Sequence, residues 1–225
     1  MTGLLAAFGD FLPLAMAVAL TPFPIVAVVL VLARPDGVAA GTGFLVGWVA
    51  SLSALTLILT FAVGELDGFR LSMAAWLQVV VGLLLLATAV AKWRGRPRGD
   101  AEAPVPGWMR PLATAAPGRA AMYGVALGLN PKNLALTAAA AAGIAYRGLS
   151  GPMALGAAAL YVALAASSVI GAVLARAFGG RRAAESLEGL ELFMLRHNAV
   201  IMMVVLVFLG LKILGDGLAE LGAPS

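Results

Sequence analysis

Six long apolar stretches alternate with short polar breaks along the chain. They run roughly Phe11–Ala33, Val38–Val63, Ser72–Ala91, Ala120–Ala145, Pro152–Phe178 and Phe193–Gly215. Each is near or above the ~20 residues that an α-helix needs to span a bilayer. The breaks carry charge, Gly and Pro: Arg34-Pro35-Asp36-Gly37, Gly64-Glu65-Leu66-Asp67-Gly68 and Arg147-Gly148. The pattern predicts an all-α polytopic membrane protein with six transmembrane helices.

Two connections are longer. Residues 92–119 are basic and rich in Pro and Gly, as a flexible linker between two halves would be. Arg176–Glu191 places Glu185, Glu188 and Glu191 at three-residue spacing, with Leu187 and Leu190 pointing elsewhere. That spacing predicts a short interfacial helix leading into the sixth span, although a solvated charged face needs no function.

The halves 1–91 and 120–225 resemble each other in outline. Each opens with a stretch interrupted by proline, Pro22 and Pro24 in one and Pro131 in the other, followed by a single arginine, Arg34 or Arg147. A stretch with small and hydroxyl residues comes next: Gly47, Ser51 and Ser53 against Gly156, Ser167 and Ser168. A plainly apolar stretch closes each half. Three spans per half is odd, so the second half inserts upside down, giving two inverted three-helix repeats with broken first helices. Proline-interrupted segments at matching places in two halves are the sequence mark of a transporter's binding site.

Composition sharpens this reading. The chain has 225 residues, is 62% hydrophobic and only 12% charged, with a mean hydropathy of +0.99. That charged share is about half the usual value for a soluble domain. Cysteine is absent, which excludes disulfides and thiolate metal sites, and a single histidine, His197, argues against a histidine metal site. The net charge of +4 is no sign of nucleic-acid binding, because the basic residues gather at the ends of the apolar stretches. The connections after stretches one, three and five hold eleven Lys and Arg, and the opposite side three, Arg70, Arg147 and Lys212. The positive-inside rule then puts the odd connections in the cytoplasm and both termini outside. The first stretch lacks a basic leader and a small-residue cleavage site, so no signal peptide is expected.

The candidate chemistry lies at the two proline breaks. Asn130-Pro131-Lys132-Asn133 interrupts the fourth stretch and Thr21-Pro22-Phe23-Pro24 the first. A proline removes a backbone donor and frees a carbonyl one turn earlier. A lysine at the bilayer centre costs on the order of 3 kcal/mol or more. No Asp or Glu lies inside any stretch to pair with Lys132. It is therefore neutral, or bonded to freed carbonyls, or facing a cavity that receives an anionic substrate. The N-terminus of the half-helix after each break is itself an anion site. Thr21, Pro22, Pro24, Asn130, Pro131, Lys132 and Asn133 are the substrate-binding candidates. Ser51, Ser53, Thr56, Ser167 and Ser168 are candidates for lining a path, though such residues also serve helix packing. Gly124-x-x-x-Gly128 and Gly47-x-x-x-Ser51 fit close helix contact, and the four tryptophans sit mostly where interface aromatics belong. Lys212 and Asp216 are spaced to pair. No catalytic constellation, phosphate loop or metal-ligand spacing is present, so neither an enzyme nor a cofactor is expected.

The segments LPLAMAVALTPFPIVAVVLVL, GFLVGWVASLSAL and ALGLNPKNLALTAAA resemble the GAP family of actinobacterial peptidoglycolipid- or sulfolipid-addressing proteins, grouped with the LysE superfamily of small exporters. The resemblance covers nearly the whole chain. It implies a six-helix protein of the bacterial inner membrane that moves glycolipids or related envelope lipids outward. Pro22, Pro24, Asn130, Pro131 and Lys132 match the motif positions. Amino-acid exporters of the superfamily usually read Pro-Gly-Pro at the first break; the bulkier Phe23 here argues against so small a substrate. Thiol-conducting relatives carry cysteines at the breaks, and this chain has none. Three functions are expected in order: an exporter or flippase for an anionic envelope lipid, an exporter of small amino acids or other solutes, and a non-transporting accessory subunit of a lipid-export machine. Membrane lipids, a second copy of the chain or an export protein are the expected partners.

Overall fold

The structure, a computed structural model, describes residues 2–34, 36–64, 71–96, 106–149 and 151–222. The polar break at 65–70 and the middle of the linker, 97–105, lie outside the described residues. Among the described residues every regular element is helical. The first apolar stretch is α1 (Thr2–Ala19) and α2 (Pro22–Leu32), the second α3 (Gly37–Gly64), the third α4 (Leu71–Arg94). The fourth is α5 (Pro117–Gly128) and α6 (Pro131–Tyr146), the fifth α7 (Gly151–Ala165) and α8 (Ser167–Phe178), and the sixth belongs to α9 (Gly180–Gly222).

These are the helices of a membrane-spanning protein. Gly37–Ala62 and Arg182–Ala219 are each long and apolar enough to cross a bilayer. If each bent pair is one span, the number among the described residues reaches four: Gly3–Ala19 with Pro22–Leu32, bent by 50°, and Gly151–Ala165 with Ser167–Phe178, bent by 59°. Proline explains the breaks before α2 and α6, because Pro22 and Pro131 occupy the first helical position, where a missing N–H and a fixed φ favour a new start. The break between α7 and α8 has no proline. It lies at Ala166, whose φ of −92° and ψ of −3° depart from ideal helix while its own N–H and carbonyl keep their four-residue bonds to Val162 and Ile170.

The chain forms two compact units, residues 1–64 with 103–196, and residues 65–102 with 197–225. Each expected half gives its first two apolar stretches to the first unit and its third to the second.

Within the first unit α3 lies along α5 at very close range. A Cβ added at Gly43 would land on the Pro117 carbonyl oxygen, one at Gly47 on that of Ala121, and one at Gly124 on that of Phe44. Small residues at four-residue spacing let two backbones touch, and dispersion replaces the hydrophobic drive that lipid cannot supply. Trp48 stands at this crossing, 1% exposed and stacked on Phe44 with ring centroids 6.5 Å apart. The expectation of an interface aromatic therefore fails for Trp48, whose ring fills the space beside the glycines; Trp76, Trp93 and Trp108 are exposed. Nearly all of α2 is buried, which its unbroken run of Ile, Val, Ala and Leu permits.

Two connections differ from their sequence reading. Part of the expected flexible linker folds as a 3₁₀ helix, Gly107–Thr114, anchored by fully buried Met109 and Leu112. Trp108 from the same turn meets Phe23 edge-on, ring centroids 6.3 Å apart. The expected interfacial helix is continuous with the sixth stretch in α9, because no proline or turn interrupts it. Its face is as expected in part: Glu185 and Glu188 are exposed and Leu187 is buried, while Glu191 and Leu190 are both half-buried. In the second unit α4 meets the C-terminal part of α9 through Gly82, which lies against Leu214, and Gly210, which lies against Leu86.

Gly47→Val should force α3 and α5 apart and cost about 1–3 kcal/mol, as overpacking typically does. Unfolding by denaturing detergent in micelles measures this. The same change at Gly156, where a Cβ meets nothing within 4 Å, should cost far less.

Candidate functional site

The two proline breaks meet in the first unit. At the first, Pro22 has no N–H for the Val18 carbonyl, and the Thr21 N–H turns to Val18 at 3.1 Å. That tighter bond leaves the Ala17 carbonyl without its helical donor. The Thr21 hydroxyl donates to it at 3.0 Å. Pro22 and Pro24 are buried, and Phe23 is exposed between them.

At the second break Pro131 frees the Leu127 carbonyl. Two amides claim it, Asn130 Nδ2 at 2.6 Å and Asn133 Nδ2 at 3.0 Å. Asn130 is also the N-cap of α6, its Oδ1 accepting from the Asn133 N–H at 3.1 Å. Asn130 and Asn133 thus repair the backbone around Pro131, one at each edge of the gap.

Lys132 joins the breaks. Its Nζ donates to Thr21 Oγ1 at 2.9 Å and reaches the Ala17 carbonyl at 3.4 Å. Its nearer partner is the hydroxyl, and the carbonyl it reaches is that of Ala17, not the Val18 or Leu127 carbonyl whose donor proline removes. The carbonyl belongs to the partner break, more than a hundred residues away in sequence. An ammonium group held this way cross-links α6 to the junction of α1 and α2.

A polar seam extends from the junction along α6. Asn133 is fully buried, and its Oδ1 has no hydrogen-bond partner. One turn on, Thr137 Oγ1 lies 3.0 Å from the hydroxyl of Tyr161 on α7, both residues fully buried. Phe11 of α1 packs edge-on against the Tyr161 ring at 6.0 Å. The sequence reading missed Thr137 and Tyr161. The available signal was the four-residue step from Asn133 to Thr137, which puts both on one helix face.

The path-lining candidates do not assemble as one set. Ser51 is buried, bonded to the Trp48 carbonyl at 2.8 Å, and its hydroxyl occupies the place a Cβ at Gly128 would take. That puts Ser51 beside the end of α5, close to the second break. Thr56 is buried and donates to Leu52 at 2.7 Å, a helix-packing role. Ser53 is half-buried, and Ser167 and Ser168 open α8, exposed and half-buried respectively.

Arginines tie the far ends of the broken helices. Arg34, after α2, forks onto Asp36 at 2.7 and 3.1 Å and donates to the Ala115 carbonyl, ahead of α5, at 3.0 Å. This fork holds the Asp36 carboxyl below its usual range. Arg176 of α8 donates to the Leu32 and Arg34 carbonyls, each at 3.2 Å, and so caps the C-terminus of α2. Arg147, after α6, forks onto Asp10 of α1 at 2.6 and 2.8 Å. The arginine closing the first break's half-helix thus reaches the threshold of α5, and the one closing the second reaches α1. Among the described residues no group of acidic residues and histidine could hold a metal ion.

Fold and site together define a helical membrane protein built around two proline-broken helices cross-linked by a lysine. The family model described as SfLAP, Sap, sulfolipid-1-addressing protein, matches residues 11–219, and the chain belongs to that family. No curated protein and no solved structure matches it.

Asn130→Ala should cost about 1 kcal/mol of stability, the usual worth of an N-cap, and Asn130→Ser should recover much of it. Thermal unfolding in detergent measures both. Equal losses in the two variants would show that capping is not what Asn130 contributes.

Proposed function

We propose that the protein is a six-span membrane transporter of the bacterial plasma membrane that moves an anionic lipid or glycolipid, acting as an exporter or flippase. In this reading the six apolar stretches are two inverted three-helix repeats, both termini lie outside, and the substrate binds where the two breaks meet. The observation that carries the reading is the Lys132–Thr21 bridge between the breaks. The equal contribution of both halves to each compact unit supports the repeat, as do the reciprocal arginine contacts at the helix ends. The family's name refers to a sulfolipid, and a sulfated headgroup is anionic, as the site chemistry requires.

The mechanism follows from which partners Lys132 holds. Among its partners are a neutral hydroxyl and a carbonyl. A sulfate or phosphate group is a stronger acceptor, because charge-assisted hydrogen bonds are roughly twice as strong as neutral ones. An arriving anionic headgroup takes the ammonium and lies at the positive dipole end of the α6 N-terminus. The Thr21 contact is then released, so binding substrate loosens the cross-link between α6 and the α1–α2 junction. Asn130 and Asn133 keep the second break closed while this exchange happens. The buried, unpartnered Asn133 Oδ1 offers an acceptor for a hydroxyl of the headgroup.

Purified protein in liposomes carrying a fluorescent anionic lipid tests this by the rate at which label becomes accessible to an external quencher. Lys132→Gln should slow that rate about tenfold or more, since a hydrogen bond to a charged group is worth about 1.5–3 kcal/mol. A variant as fast as an active wild type would overturn the site. A wild type that moves small amino acids but no lipid would favour the small-solute exporter. Movement of neither would favour an accessory subunit, with Lys132 as a structural cross-link.

A further inference from the structure

The second unit holds a site unrelated to the proline breaks. Between the C-terminal end of α4 and the middle of α9 lies a cavity of about 340 Å³, lined by Thr88, Lys92, Gly95, Asn198 and Met202 among others. That volume is within the range of small-ligand sites. Its polar lining is unbalanced. Thr88 is already satisfied, its hydroxyl donating to the Leu84 carbonyl at 2.7 Å. Asn198 Oδ1 is buried and has no hydrogen-bond partner. An acceptor left so costs about 1–3 kcal/mol unless a bound molecule supplies a donor. Lys92 stands at the exposed mouth and forms no ion pair among the described residues. Ala91, Ala199 and Met202 supply an apolar wall.

We infer that this cavity binds a phosphoester bearing its own hydroxyl or ammonium donor, with the headgroup of a membrane phospholipid as the source. Lys92 meets the phosphate, and the half-buried Asn198 amide turns toward the cavity so that Oδ1 accepts from the hydroxyl or ammonium group. The apolar wall receives the glycerol and the start of the acyl chains. Three features favour a lipid over a soluble phosphoester. The cavity lies between two apolar helices at the basic end of α4, which closes with Lys92 and Arg94. Trp93 is exposed there, and the Arg96 guanidinium lies over its ring at 3.6 Å, an aromatic and a cation placed together at headgroup depth. Basic pockets between membrane helices on the cytoplasmic side are general headgroup sites, and the charge count puts this end of α4 on that side.

The site discriminates by donor. Phosphatidylglycerol and phosphatidylethanolamine each carry a donor beyond the phosphate, and phosphatidylcholine carries none. The full-length protein, stripped of lipid in detergent, is titrated with each lipid at matched acyl chains. Bound lipid is counted by native mass spectrometry, and the shift in unfolding temperature is recorded. Phosphatidylglycerol and phosphatidylethanolamine should bind and raise the unfolding temperature, with phosphatidylcholine at least fivefold weaker. Asn198→Leu should weaken the first two at least fivefold. Without lipid its unfolding temperature should not fall, because the change removes the unsatisfied acceptor. Ala199→Phe, which fills the cavity and leaves Asn198 and Lys92 in place, should give the same loss of binding. The loss on Asn198→Leu should be the same in a Lys132→Ala background, which separates this binding from any lipid held at the proline breaks. Wild-type affinity for phosphatidylglycerol in both Asn198→Leu and Ala199→Phe would overturn the inference, as would equal binding of phosphatidylcholine. Saturation by glycerol 3-phosphate instead of lipid, lost in Asn198→Leu, would support the phosphoester chemistry and overturn the lipid source.

Discussion

A proline at a break in an apolar helix leaves a carbonyl that neither water nor lipid can satisfy, and the candidate site is arranged around two such breaks, at Pro22 and Pro131. Each break solves the problem differently. After Pro131 the repair is local, two asparagine amides closing on Leu127. Before Pro22 it is shared: Val18 takes a tighter backbone bond, while the exposed Ala17 carbonyl takes the Thr21 hydroxyl and the Lys132 ammonium. The second break carries the charge that the first break leaves room for. Neither half-site is complete alone, which is why two features so distant in sequence occupy one place.

Close packing makes that meeting possible. Thr21 and Lys132 approach to 2.9 Å because α3 and α5 lie glycine to carbonyl along their length. The crossing fixes α5, and α5 fixes the start of α6. On the other side α2 is buried almost all round, and its C-terminus is capped by Arg176. Both half-helices after the breaks are therefore held at their far ends by arginine contacts as well as at the break. In the proposed mechanism, an exchange of partners at Lys132 would act on elements anchored at both ends and change the angle between half-helices more than their positions.

The polar groups fall into two classes. Asn130, Thr56 and Thr88 have their bonds within their own helix or its cap and contribute to structure. Asn133 Oδ1 and Asn198 Oδ1 are buried acceptors with none, one beside each proposed binding region. Buried unsatisfied acceptors are rare because they are costly. In a chain with so few polar side chains, two of them beside binding regions mark where a ligand's donors are expected. Trp48 Nε1 and Thr60 Oγ1 are likewise unpartnered. Nothing in the structure explains them.

The helices, the membrane environment and the two proline breaks were legible in the residues alone. Apolar length, the missing N–H of proline and the cost of a buried charge are properties of local residues. The sequence also identified Asn130, Lys132 and Thr21 as residues out of place in lipid. Tertiary structure decided what those residues do. That Lys132 reaches Thr21, that Trp48 is a core residue and not an interface anchor, and that Tyr161 meets Thr137 all depend on which helices touch. The bend at Ala166 has no proline to announce it, and the folding of 107–114 depends on the pocket that receives Met109 and Leu112. In an apolar solvent every face of a helix is acceptable, so hydrophobic pattern cannot choose partners. That choice belongs to backbone contact at glycines and to the few polar groups that must find one another.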